Sequence, residues 1–220
     1  MDLMAQVDAY CERLGPGLWA EPLNALTNLA FIAVALALWR AVAGLPLARL
    51  LCLVLFVIGV GSGLFHTLAT GWAGIADTLP ILLFILIYIF AATRHFFSAP
   101  LWVAVLIPAL FLPASVLLTP VLRLLPLYGA SAAYMPVPLL IFLYAALLAK
   151  RAPATAGRLA AGAALLMLSL TFRSLDAPLC DATDGIGTHF LWHLLNATML
   201  GWMILTYRFH MQTRIVAFSK

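Results

Sequence analysis

Apolar residues run through this chain in long blocks, without the alternation of a half-buried strand or the single stripe of a surface helix. Seven blocks stand out, at 23–42, 47–68, 75–92, 101–118, 130–149, 158–172 and 188–207, with short polar breaks between them. A helix needs about 20 mostly apolar residues to cross a bilayer, and the sixth block is shorter than that but consistently apolar. Segments that are apolar all round belong in lipid or in the interior of a bundle. The expected fold is therefore all-α, a single seven-helix membrane domain over 1–220. It has an N-terminal segment at 1–22, helices over 23–207 and a tail at 208–220. Pro108 and Pro113 in the fourth block, and Pro136 and Pro138 in the fifth, are expected to kink their helices. Membrane helices tolerate such kinks where neighbours satisfy the freed carbonyls.

Composition narrows the class further. Of 220 residues, 65% are hydrophobic and 9% charged, with a mean hydropathy of +1.08. Soluble domains carry about 25% charged residues, so a water-soluble globule is excluded. The net charge of +4 comes from 12 Lys and Arg that are scattered rather than clustered, which argues against a nucleic-acid partner. Nothing points to an obligate protein partner. The basic residues are informative by side instead. Arg40, Arg49, Arg94, Lys150, Arg151, Arg158, Arg208, Arg214 and Lys220 fall on the side of the C-terminus, and only Arg13, Arg123 and Arg173 on the other. The positive-inside rule then places the C-terminus in the cytoplasm and the N-terminus on the exoplasmic side. The N-terminus has no basic stretch followed by an apolar core, so no cleaved signal is expected. Short basic loops suggest a bacterial inner membrane with the exoplasmic end facing the periplasm, and an endomembrane is left open. Three cysteines without a C-x-x-C pair allow one disulfide at most.

All eight acids (Asp2, Asp8, Glu12, Glu21, Asp77, Asp176, Asp181 and Asp184) lie at the exoplasmic end. The positive-inside rule does not count acids, so their segregation needs a separate cause. The same end carries the ionisable groups that a bilayer tolerates only for a reason. Ser62 and His66 are spaced i, i+4 at the end of the second block, His189 and His193 i, i+4 at the start of the seventh, and Asp77 opens the third. An i, i+4 pair shares a helix face about 6 Å apart along the axis. Three neutral imidazoles leaving one position open are the ligand set of a catalytic zinc, and a nearby carboxylate supplies the proton shuttle. His95 and His210, at the cytoplasmic ends of their helices, suit the helix dipole and receive no catalytic role.

Glu21, Asn24 and Asn28 form a polar stripe on the first helix that must face protein. Asp8, Glu12 and Glu21 are oxygen donors that could bind calcium, or could equally form a solvated acidic loop. Asp176, Asp181 and Asp184 read as a wet loop that complements the dipole of the last helix. Trp19, Trp72 and Trp192 are expected in an interfacial aromatic belt.

Together, Ser62-x-x-Phe65-His66, Asp77 eleven residues beyond His66, His189-x-x-Trp192-His193, and Glu21-x-x-Asn24-x-x-Thr27-Asn28 resemble the alkaline ceramidase family. That family belongs to a superfamily of seven-helix membrane hydrolases that includes the adiponectin and progestin receptors. The resemblance implies a zinc held by His66, His189 and His193, with Asp77 handling protons. It implies as well that Ser62 helps orient the bound water or the developing oxyanion. The substrate it implies is a ceramide-like N-acyl sphingoid lipid reached from the bilayer. It also implies a calcium site in the N-terminal segment, for which Asp8, Glu12 and Glu21 are the candidates, although Leu14 stands where an oxygen ligand is expected. Cys11 matches a family cysteine, and a bridge to Cys180 on the same side is implied. A lipid-sensing receptor of the superfamily is the alternative. A serine hydrolase built on Ser62 and one histidine would leave two histidines without a function.

Overall fold

The computed structural model describes residues 2–218, with side-chain environments through residue 213; the side chain of Arg214 and the whole of Lys220 lie outside them. Among the described residues the chain is helical, with one isolated antiparallel bridge between Gln6 and Thr70. The first apolar block is two helical pieces, α1 (Pro22–Thr27) and α2 (Leu29–Trp39). They join at Asn28, whose backbone stays in the right-handed helical region. The Thr27 hydroxyl lies 2.8 Å from the Leu23 carbonyl, and Asn28 Nδ2 donates to Asn24 O at 2.8 Å. Side-chain bonds of this kind compete with the helix ladder and bend it.

The remaining helices are α3 (Pro46–Leu68), α4 (Gly71–Phe96), α5 (Leu101–Leu122), α6 (Pro136–Leu148), α7 (Pro153–Leu175) and α8 (His189–Phe218). Five helical segments are long and apolar enough to cross a membrane: 22–39, which joins α1 and α2, and α3, α4, α5 and α7. They make this a multi-pass membrane protein. Pro136 and Pro138 do not kink a helix as expected. They lie in the first turn of α6, where the missing N–H would have had no partner. Residues 129–131 form a separate 3₁₀ turn, so α6 is shorter than the block at 130–149. Pro108, Pro113 and Pro120 are inside α5.

Successive helices pack side by side, and α8 closes the arrangement against α1, α2, α3, α4 and α7. Phe31, Leu51, Leu55, Ile58, Leu170 and Ile204 are fully buried between them. By contrast, α5 buries only Ala104 and turns Leu101, Trp102, Val116 and Leu117 outward, as a helix on the lipid side should. Pro46 opens α3 and Pro153 opens α7, so both turn back into the bundle without losing a ladder bond. α3 ends at Ala69, which takes the left-handed conformation (φ 45°) and donates to Phe65 O. The N-terminal segment is laid over this turn: Val7 N donates to Ala69 O, Gly71 N to Ala5 O and Trp72 N to Leu3 O. That strap brings residues 8–21 over the ends of α3 and α8, where the histidines are.

Candidate metal centre

His66 lies two residues before the end of α3, and His189 and His193 occupy the first two turns of α8. Their exposures are 0%, 1% and 1%. One nitrogen from each can be chosen so that all three lie within 4.8 Å of one another. The ring centroids are 4.7 Å apart for His66 and His193, and 4.6 Å for His189 and His193. His66 Nε2, His193 Nε2 and His189 Nδ1 are buried without a hydrogen-bond partner. An orphaned buried polar atom costs about 1–3 kcal/mol. Three such atoms, on three histidines whose rings crowd together, have a physical explanation if they ligate a cation.

The outward-facing nitrogens explain why the inward ones keep their lone pairs. His66 Nδ1 is 2.6 Å from Glu21 Oε2, so the carboxylate accepts the ring N–H and Nε2 is left as the acceptor. His193 Nδ1 is 2.9 Å from Thr27 Oγ1. The Thr27 hydroxyl spends its single proton on the carbonyls of Leu23 or Asn24, so its oxygen accepts from Nδ1–H and again frees Nε2. Such partners set tautomer and ring orientation in metal sites. His189 is held differently. Tyr10 stacks on its ring with centroids 3.6 Å apart and planes 22° from parallel. Its backbone N–H donates to Asp176 Oδ1 at 2.9 Å. Burial pushes the Tyr10 phenol well above its ordinary range, so it stays neutral.

Ser62, one turn before His66, is buried beside the half-buried Asp77 at the α3–α4 interface. A glycine makes this approach possible. A Cβ at Gly61 would collide with the backbone carbonyl of Ala76. Alanine gains about 1 kcal/mol of helix propensity over glycine, but a backbone clash outweighs it. Gly61→Ala is expected to lower stability by about 1–3 kcal/mol, read as a lower unfolding midpoint in detergent. An unchanged or higher midpoint would contradict the close approach.

The sequence model of the Ceramidase family matches this chain over residues 10–215, from the tyrosine stacked on His189 through the last helix. The chain belongs to the ceramidase family. No curated protein matches it. Family membership implies a hydrolase of amide bonds with a lipid substrate in the bilayer.

For a ceramidase-family member, the acidic residues are arranged unexpectedly. Asp8 is exposed. Glu12 accepts from the backbone N–H groups of Leu23 and Asn24 at 2.7 and 2.8 Å. It therefore closes the N-terminus of α1, where negative charge is favoured. Glu21, 1% exposed, receives Arg13 Nε at 2.5 Å on Oε1, and His66 Nδ1 and Asn24 Nδ2 on Oε2. Burial alone would push the Glu21 carboxyl up. The hydrogen bonds of His66, Arg13 and Asn24 outweigh it and hold the group below its ordinary range. Calcium takes 6–8 oxygen ligands, whereas the oxygens of Glu12 and Glu21 already accept N–H donors. Among the described residues the one metal-compatible group is the three histidines. The N-terminal acids do not fit a calcium ion.

Two expectations are corrected here. Asp176 belongs to no wet loop: it is 3% exposed and accepts from the N–H groups of Thr188 and His189 on Oδ1 and of Cys11 on Oδ2. It thereby ties the start of α8 to the N-terminal segment. Trp192 is not interfacial but 5% exposed, tilted against Tyr134. Cys11 and Cys180 are disulfide-bonded with Cα atoms 5.5 Å apart, and Cys52 is free and buried. Tyr10, Arg13 and Asp176 escape a reading of the sequence as site residues, and Thr27 enters it only as part of the motif that opens the first helix. Thr27 carries that local signal because it lies one turn after Asn24 on α1.

Proposed function

We propose that this chain is a zinc-dependent intramembrane amidase that hydrolyses ceramide-like N-acyl sphingoid lipids to a fatty acid and a sphingoid base. The three orphaned imidazole nitrogens at the end of α3 and the start of α8 are the observation that carries the reading. Three neutral nitrogen donors suit zinc, and His66, His189 and His193 would hold it. A zinc ion held there supplies Lewis acidity toward the amide carbonyl and makes water acidic enough to ionise near neutral pH.

The chain's own groups then divide the work. Asp77 takes the proton that leaves the attacking water as the C–O bond forms, and then delivers it to the amide nitrogen, so that the C–N bond breaks and the amine departs neutral. Ser62, beside Asp77, turns its single hydroxyl proton to the carbonyl oxygen as negative charge develops there. Glu21 and Thr27 keep the rings of His66 and His193 aimed inward.

An apolar groove supports a substrate that carries a lipid chain. It is lined by Phe84, Tyr88, Tyr134, Ile141, Trp192 and Met203, among others. Along α8 it runs from the residue before His193 for about 16 Å. α4 and α6 wall it, and a lipid chain would slide in between them from the bilayer. The seven-span count follows if α6 and α8 are added to the five long apolar segments. The basic residues then put the C-terminus in the cytoplasm and the metal centre on the exoplasmic face, which is the periplasmic side in a bacterial inner membrane. All 220 residues form one domain. No observation favours the receptor reading.

Stripping metal from the purified protein with a strong chelator is expected to abolish release of fatty acid from a ceramide, and added zinc to restore it. Full activity after verified metal removal would sink the proposal.

A further inference from the structure

Arg13 is the least expected member of the site. Its exposure is 6%, and it follows Glu12 in a segment that otherwise has no basic residue. Its guanidinium makes three contacts: Nε to Glu21 Oε1 at 2.5 Å, one terminal nitrogen to Gly15 O at 3.0 Å, and the other to His66 O at 3.1 Å. His66 is thereby gripped twice. Its ring is held by Glu21, which Arg13 holds, and its backbone carbonyl is one of the last four of α3, which have no partner within the helix. A cation at a helix C-terminus is also favoured by the helix dipole.

A divalent ion in the same place would need these same oxygens. The Glu21 carboxylate and the carbonyls of Gly15 and His66 all accept from N–H groups, and a second positive charge would be repelled by the guanidinium. Lysine could not replace it in full, because a point charge lacks the planar fork that reaches three acceptors.

We propose that Arg13 is a positioning residue that serves as a built-in cation, bracing Glu21 and His66 so that the histidine centre assembles without calcium. This rests on the reading of His66, His189 and His193 as the zinc ligands. The role is charge compensation and orientation, and Arg13 does not touch the substrate.

The test uses the purified full chain, zinc affinity from competition with a chromophoric chelator, and the unfolding midpoint. For wild type, both are expected to be the same in calcium-free buffer and with calcium added. Arg13→Gln is expected to weaken zinc binding roughly 10–100-fold, the usual effect of losing an outer partner of a ligand, with Arg13→Lys between it and wild type. Zinc affinity in Arg13→Gln equal to wild type overturns the proposal and leaves the zinc site intact. A rise in wild-type zinc affinity or midpoint on adding calcium overturns it equally, and this arm stands even if Arg13→Gln does not fold. A wild type that binds no zinc fails at the metal centre itself, a separate result.

Discussion

His193→Ala is expected to yield a protein that carries essentially no zinc by elemental analysis and no measurable lipid amidase activity. The ring is 1% exposed, and its Nε2 has no partner other than what the three histidines hold between them. Its removal leaves two nitrogen ligands, too few for a closed or a catalytic zinc site. It also leaves the Thr27 hydroxyl without the ring it orients. The effect is expected to exceed that of any outer partner, which shifts metal affinity by about 10–100-fold. A folded His193→Ala protein with wild-type zinc content would remove the three-histidine centre. His189→Ala should behave the same way, because His189 lies one turn earlier on the same face of α8. Tyr10 then loses its stacking partner.

Asp77→Asn is expected to keep its zinc and lose turnover, by about 10²–10⁴-fold, the contribution of a positioned acid–base group. Asparagine preserves the size of the side chain and can still sit beside Ser62, so the α3–α4 interface around Gly61 should hold. It cannot take a proton from water and pass it to a leaving amine. Metal content measured beside the rate separates this variant from His193→Ala, in which both fall together. Turnover near wild type in Asp77→Asn would exclude the carboxylate from the proton path.

How much was legible in the chain varied with the range of the interaction. The apolar blocks at 23–42, 47–68, 75–92 and 101–118 correspond to helical segments because hydropathy and helix length are properties of consecutive residues. The block at 130–149 was placed less well. Pro136 and Pro138 look like kinks in a linear reading, but they start a helix once residues 129–131 have turned. Ser62 with His66 and His189 with His193 could be found from i, i+4 spacing alone, since one helix places such pairs on one face.

The supporting partners could not be found that way. Thr27 meets His193 across 166 residues, Glu21 meets His66 across 45, and Cys11 N meets Asp176 across 165. No local periodicity records such separations. The candidate calcium ligands show the difference most sharply. Asp8, Glu12 and Glu21 are close in sequence and of the right chemical type, yet one is exposed, one caps α1 and one is paired with Arg13 and His66.

By itself, the sequence determined the membrane class, the helical segments and the three imidazoles, because those depend on residue type and on spacing within one helix. Only the tertiary structure decided which nitrogens face one another, and that a guanidinium rather than a ring of open oxygens stands beside Glu21. Both follow from how the N-terminal segment folds over the ends of α3 and α8. That fold brings charges together across the chain, where burial makes their pairing strong.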